Sequence, residues 1–236
     1  ALAQLHSLTP SLSLHLFGEP ATNPKGWPKQ PLKDCTERIQ IGPFGSLLHQ
    51  EDYVADGIPL VNPKHIQDGV LATNGAESVT RRKYDQLETY HLRQGDVVMG
   101  RRGEMGRCAI VFGDEPLLCG TGSLIIRPDN KRTIALFLWA ILSSQQSKEA
   151  FERLSIGQTL PNLNSGIVEK FSIPFPPIPL QREFARRVTA VEALKTAQRA
   201  SLAELDALFA TLQHRAFRGE LGVPPSGGKA HDRKSA

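Results

Sequence analysis

Apolar residues along this chain follow two patterns. From Phe184 to Ala216 they recur at alternating steps of four and three: Phe184, Val188, Val191, Lys195, Gln198, Leu202, Leu205, Phe209, Leu212 and Ala216, with Lys195 and Gln198 polar. No proline or glycine falls between Pro179 and Gly219. Good helix formers throughout predict about forty residues of helix, roughly 55–60 Å long. A 3–4 spacing held over this length predicts a coiled-coil seam, narrower than the stripe of a globular helix. The two polar seam positions would fix its register. The alternative is a terminal helix packed on its own domain. Ahead of it, Pro174, Pro176, Pro177 and Pro179 make Ile173–Ile178 an extended lead-in.

The second pattern is of short β runs separated by turn residues. Ile39–Ile41 precedes the turn Gly42–Ser46, and Leu47-Leu48-His49 resumes the run. Asp56-Gly57 turns into Ile58–Asn62, and Asp68-Gly69 turns again. Val97–Arg102 and Arg107–Phe112 flank Gly103–Gly106, a hairpin in outline. Ser123–Arg127 is a further strand; from Thr133 to about Leu154 the spacing turns helical. Gly157–Ser165 is a polar loop. The fold class is α+β: a globular domain of short strands and a few helices, followed by a long coiled-coil helix.

The N-terminus gains meaning beside that helix. At an offset of 200, Leu2, Ala3, Leu5, Leu8, Leu12 and Phe17 match Leu202, Ala203, Leu205, Leu208, Leu212 and Phe217. This suggests a duplicated plan of middle domain plus helix; the other reading is chance among leucine-rich helices. Pro10 predicts a short or broken first helix. The expected divisions are a helix remnant at 1–19, a globular domain at 20–177, the spacer helix at 178–221 and a disordered basic tail at 222–236. Pro20–Pro31 reads as a linker, with Trp27 beginning the domain.

Composition narrows the class. The 236 residues are 40% hydrophobic and 22% charged, enough for one or two soluble domains with a real core. No apolar run suits a membrane span, and no start resembles a signal peptide. Cys35, Cys108 and Cys119 are odd in number and lack metal spacing, so they read as reduced thiols of a cytoplasmic protein. The net charge is +4, but between Trp27 and Pro176 there are 17 Lys/Arg against 17 Asp/Glu. The excess lies on the helix and tail, so overall charge says little about nucleic acid; local clusters must carry that argument.

No catalytic set emerges: no phosphate loop, no nucleophile elbow and no metal or cofactor motif. Gly100, Gly103 and Gly106 have hairpin rather than dinucleotide-loop spacing. Three polar clusters can face a ligand. Arg101, Arg102 and Arg107 bracket the hairpin; alternate strand residues point to opposite faces, so one of Arg101 and Arg102 is exposed and able to fork onto guanine or grip phosphate. Asn62, Lys64 and His65 follow a strand. Gln158, Thr159, Asn162 and Asn164 offer groups that suit adenine or phosphate, or that cap a helix. The run Arg81-Arg82-Lys83 reads as solvated charge.

Five segments in order resemble the specificity (S) subunit of type I restriction-modification systems: LFGEPATNPKGWP at 16–28, GPFGSLLHQEDYVADGIPLVNPKHI at 42–66, GDVVMGRRGEMGRCAIV at 95–111, IGQTLPNLNSGIVEKFSIPFPPIPLQREFARRV at 156–188, and AFRGEL at 216–221. The resemblance implies a non-catalytic subunit that reads double-stranded DNA. Such subunits carry two target-recognition domains, each followed by a long helix. The helices pair antiparallel, methyltransferase (M) subunits dock on them, and a restriction/translocase (R) subunit joins for cleavage. Phe184, Val188, Val191, Leu202, Leu205, Phe209 and Leu212 would then be docking positions. No cofactor is implied, and base-reading residues vary with target, so none carries over.

This sequence departs from that plan by holding one recognition domain. It fits a fragment of a longer gene, a degraded copy, or a half-subunit that pairs with a second copy or another S half. Two other classes stay open: a small DNA-modifying enzyme with a helical tail, and a coiled-coil adaptor without a DNA role.

Overall fold

The apolar triplets Val97-Val98-Met99 and Leu124-Ile125-Ile126 are too hydrophobic for strands with one wet face, and both are buried on two sides. In a computed structural model of the chain, which describes residues 2–67, 69–103, 105–155 and 162–219, they lie at the centre of the fold. In chain order the helices are α1 (Leu2–Phe17), α2 (Arg81–Gln86), α3 (Ala135–Leu142), α4 (Gln145–Ser155), α5 (Ser165–Lys170) and α6 (Ile178–Phe217). The strands are β1 (Lys29–Pro31), β2 (Thr36–Ile41), β3 (Tyr53–Val54), β4 (Ile58–Val61), β5 (Ile66–Gln67), β6 (Val70–Leu71) and β7 (Ser78–Val79). They continue as β8 (His91–Leu92), β9 (Val97–Gly100), β10 (Cys108–Ile110), β11 (Leu117–Cys119), β12 (Ser123–Pro128) and β13 (Ser172–Pro174).

A four-stranded antiparallel sheet runs β10-β9-β12-β2, with Leu124 opposite Met99 and Cys108 opposite Met99 on the other side. A five-stranded sheet runs β3-β7-β4-β11-β8 and contains the parallel pair β4–β11. The period of two assigns the side chains to separate cores. Val97, Met99, Leu124 and Ile126 join Phe137, Leu138 and Ile141 of α3 and Phe151 of α4. Val98, Ile125 and Ala109 meet Val61 and Cys119 from the five-stranded sheet. Leu60 and Leu118 turn the other way, toward Tyr84 and Leu87 around α2. The order of layers is helices, sheet, sheet, short helix.

The hairpin, the strand at Ser123 and the helical stretch after Thr133 lie where the pattern put them, with ends shifted by a few residues. Leu47-Leu48-His49 is not a strand: single 3-10 turns at Gly45–Leu47 and Gln50–Asp52 carry the chain to β3. Pro20–Pro31 is a fixed corner rather than a linker. The Asn23 side chain accepts from Trp27 N at 3.0 Å and donates to Trp27 O at 2.7 Å; Trp27 Nε1 donates to Phe17 O at 3.0 Å. β1 then pairs with β13, the extended lead-in to α6.

Pro10 does not break α1, which is continuous from Leu2 to Phe17. An interior proline costs about 3 kcal/mol, and the second half of α1 offsets this by burial. Phe17 is 1% exposed and meets Phe137 and Phe184 edge-on, each at 5.0 Å between ring centroids. Leu12 and Leu16 pack beside it.

The start of α6 belongs to the same core. The buried Gln181 accepts from Ile134 N at 3.0 Å and donates to Pro176 O at 2.9 Å. Phe184, Val188 and Val191 are 0%, 3% and 9% exposed. The first two belong to this core, so the docking role expected for them is corrected: their side chains are covered within the chain. Val191 is also largely covered. The chain divides into a compact unit of residues 3–191 and a second that begins at Glu192. Within the second, Leu202, Leu205, Phe209 and Leu212 are 47%, 59%, 62% and 41% exposed, and Lys195 pairs with Glu192 at 2.7 Å. The tail at 222–236 lies outside the described residues.

All three cysteines are buried free thiols. Burial pushes Cys35 up to about 11 and Cys108 and Cys119 higher still, so none is a nucleophile. The Arg81-Arg82-Lys83 run opens α2, where Thr80 accepts from Lys83 N at 3.2 Å. Arg81 pairs with Asp85 and Lys83 with Asp52.

Candidate nucleic-acid interface

The polar clusters singled out in the sequence lie far apart along the chain, yet three of them meet at one end of the two sheets. The connections are mostly main-chain. Arg101 N donates to Gly122 O at 3.0 Å, and Leu163 N donates to Arg101 O at 2.9 Å. Gly122 N donates to Asn62 Oδ1 at 3.3 Å, and Arg107 Nη1 reaches Pro63 O at 3.5 Å. The β2 end joins through Gly42 N to Ser123 O at 3.0 Å and Thr121 Oγ1 to Pro43 O at 2.7 Å.

Within the hairpin, Gly103 and Gly106 have φ of +74° and +75°, the left-handed geometry that favours glycine. Gly100 N donates to Arg107 O at 2.8 Å and closes the turn. Of the paired arginines, Arg102 faces solvent and Arg101 is only 7% exposed. Arg101 Nε donates to Leu163 O at 3.1 Å. Burial, then the charge of Arg102, lowers its pKa. Its expected DNA contact is thus corrected to an internal tie. Arg107 stays half-buried at the hairpin's exit.

Asn62 and His65 are corrected in the same way. A short 3-10 turn, Pro63–His65, follows β4. His65 is 7% exposed, and its Nδ1 accepts from Asn62 N at 3.1 Å. A Cβ on Gly120 would stand 2.2 Å from Asn62 Oδ1, so only glycine lets that amide seat itself against the β11–β12 turn. Lys64 points out, with 61% of its side chain exposed, and pairs with Glu77. Asn164 caps α5, accepting from Ile167 N at 2.9 Å. Asn162 Oδ1 and Ser123 Oγ are buried without a hydrogen-bond partner among the described residues. Gln158 and Thr159 lie outside the described residues, as do Asp68 of the predicted turn and Glu104 of the hairpin.

Lys148 joins the site although no local pattern marked it. Lys148 of α4 lies over the hairpin turn: a Cβ on Gly106 would come within 3.1 Å of Lys148 Cγ. Lys148, Arg107 and Gln67 line a cleft of about 530 Å³ beside Trp139, whose Nε1 donates to Cys108 O at 3.2 Å. Lys148 sits in an ordinary amphipathic helix and carries no signal of its own; only the tertiary fold brings it there. The resulting surface is rich in cationic donors. Among the described residues no three His, Cys, Asp or Glu gather as metal ligands, and no helix is long and apolar enough to cross a membrane.

Burial of His65 lowers its pKa, helped by the adjacent Lys64 charge and opposed more weakly by Glu77. The unfolded imidazole titrates near ~6.5. In the folded state the neutral ring is required, because Nδ1 accepts the Asn62 amide. His65 therefore supports stability above pH ~6.5, and that support is lost as pH falls from there through the lower folded value. The urea midpoint of the wild-type chain should drop between pH 7.5 and 5.5, and His65→Gln should drop less. Equal drops would mean that other groups carry the effect.

Comparison with known proteins adds the family. Residues 24–206 match the model for the type I restriction modification DNA specificity domain. The chain is 26% identical over 174 residues to the type I restriction enzyme EcoBI specificity subunit of Escherichia coli, covering 72% of this chain and 37% of that one. Its fold resembles a chain from the structure "Structural basis underlying complex assembly and conformational transition of the type I R-M system" (TM-score 0.61, 22% identity, 94% of this chain and 53% of that chain). It also resembles the HsdS subunit from Thermoanaerobacter tengcongensis (TM-score 0.59, 20% identity, 94% and 52%). The chain spans about a third to a half of the length of these proteins.

Proposed function

The chain belongs to the type I restriction-modification DNA specificity family, and on that premise we propose that it reads a short duplex DNA sequence with the loop end at 42–45, 62–65, 101–107 and 120–122. The observation that carries this reading is the convergence of separately coded polar loops around a hairpin that presents arginine. Arg102 and Arg107 supply planar donors suited to guanine edges or phosphate, and Lys64 and Lys148 supply point charges suited to phosphate. Arg101, Asn62 and His65 hold the loops in place behind them. In this reading the chain has no chemistry of its own. It works in the cytoplasm and directs M subunits, and through them an R subunit, to the site.

The exposed stripe Leu202, Leu205, Phe209 and Leu212 supports a second part of the reading. Four large apolar residues at seam spacing on one helix suit a helical partner. We assign that stripe to docking of M subunits and of a partner helix, from a second copy or another S half.

Selection of duplexes from a random library by the full chain, followed by titration of variants at several salt concentrations, tests the DNA reading. A base-reading arginine should cost about 1–3 kcal/mol on replacement by alanine and relax one position of the selected site. A phosphate-gripping residue should weaken all sequences alike and reduce the salt slope by about one. Unchanged affinity and slope in Arg102→Ala, Arg107→Ala and Lys148→Ala would return this end to ordinary solvated surface.

A further inference from the structure

The loop after β2 carries a feature that the basic side chains do not account for. Phe44 is 62% exposed and Leu47 is 43% exposed, beside a turn that is otherwise well anchored. On one side Gly42 and Pro43 are fastened to Ser123 and Thr121. On the other, Leu48 is buried against the α2 core and His49 N donates to Asp52 Oδ2 at 2.8 Å. Between these anchors Leu47 N donates to Phe44 O at 3.4 Å, closing a tight turn. A large ring is thus held out into water on a short, doubly fixed bridge. The bridge also continues into the basic loops, since Thr121 is followed by Gly122, which accepts from Arg101 N.

We infer that Phe44, backed by Leu47, is an apolar wedge that enters the DNA at a base step next to the bases read by the hairpin. This rests on the duplex-reading assignment and adds how the DNA is deformed. The patch is two side chains wide and lies beside cationic loops, whereas the apolar surface suited to a protein helix is the longer stripe on α6. Apolar side chains that enter a base step from the minor groove partly unstack it and kink the duplex toward the major groove. A sequence preference then follows at a position that no donor touches, because flexible pyrimidine–purine steps yield most easily.

The test uses duplexes selected by the full chain, with 2-aminopurine placed in turn at each purine. Wild-type chain should raise the fluorescence at one step, the mark of unstacking. Phe44→Ala should abolish that rise and weaken binding by about tenfold, with the salt slope unchanged. Phe44→Trp should keep both the rise and the affinity. Phe44 is exposed, so the alanine variant should melt as the wild type does. A uniform signal along the duplex in wild type, or Phe44→Ala with wild-type affinity and signal, overturns the wedge. If the arginine variants lose affinity in the same series, the DNA reading itself survives. Loss of methyltransferase binding with unchanged DNA binding would make Phe44 a protein contact and equally overturn the proposal. Failure of the wild-type chain to select any sequence overturns both.

Discussion

Asp96→Ala should cost the first compact unit about 3–5 kcal/mol and shift its urea midpoint accordingly. Asp96 is 1% exposed on its side chain and Arg127 is 11% exposed. The carboxylate accepts from Arg127 Nε at 2.8 Å and Nη2 at 2.7 Å, a two-pronged pair, and from Arg93 N at 2.8 Å. Arg127 Nη2 also donates to His91 O at 3.3 Å. The pair joins the turn before β9 to the end of β12 and to β8. Removing the carboxylate leaves a guanidinium held in the interior with its main counter-charge gone, which is worse than having neither group. The variant Asp96→Leu with Arg127→Met should therefore recover part of the loss, and the shortfall from additivity measures the coupling. Because whole-domain stability is typically about 5–15 kcal/mol, the single variant stands near the edge of folding at growth temperature. A loss under about 1 kcal/mol would show the pair to be dispensable.

Leu205→Asp with Leu212→Asp should do the opposite: leave the fold intact and abolish assembly. Both side chains are substantially exposed, 59% and 41%, so the chain alone should melt as wild type. Once a partner helix covers the stripe, each aspartate becomes a desolvated charge without a counter-ion, a cost of several kcal/mol per site before relaxation. Co-purification with a cognate methyltransferase subunit, and any self-association seen by light scattering, should fall below detection. Recovery of partner at the wild-type ratio would remove the stripe from the interface. Phe184→Asp is the informative contrast. It occupies the same 3–4 series but lies in the core at 0% exposure, so it should unfold the first unit rather than merely uncouple it.

That contrast marks the limit of what the sequence made legible. The periodicity of α6 was readable along its whole length, because helix spacing is a local property. What each position touches is not local: Phe184 and Val188 pack in the core of the first unit, Lys195 is buried, and the same series from Gln198 on is exposed. The sandwiched strands were legible as unbroken apolar runs. The turn residues 47–49 were not, since three consecutive residues cannot distinguish a strand from a 3-10 turn. Pro10 misled because propensity weighs the lost hydrogen bond and ignores the three-ring contact seven residues later. At the candidate site, alternation told that one of Arg101 and Arg102 must be exposed. The choice between them was made by the carbonyl of Leu163, 62 residues away. Likewise Lys148 is part of the surface only through the packing of α4 on the hairpin. The same contacts show that a fragment limited to 27–176 lacks both Phe17 and Phe184, so binding studies need at least residues 3–191.

The way the loop end is fastened bears on how such a protein could change its target. Arg101 to Gly122, Gly42 to Ser123, Gly100 to Arg107 and Gly120 to Val61 are all bonds between backbone atoms. They need glycine at 42, 120 and 122, where a Cβ would meet neighbouring atoms within 3 Å, but they do not depend on the side chains that point outward from the loops. The outward groups at 44, 64 and 102 can thus be exchanged while the scaffold beneath them persists, as type can be reset in a locked frame. A retargeted variant of this chain is accordingly best sought by randomising those outward positions and leaving Asn62, His65, Arg101 and Gly120 untouched.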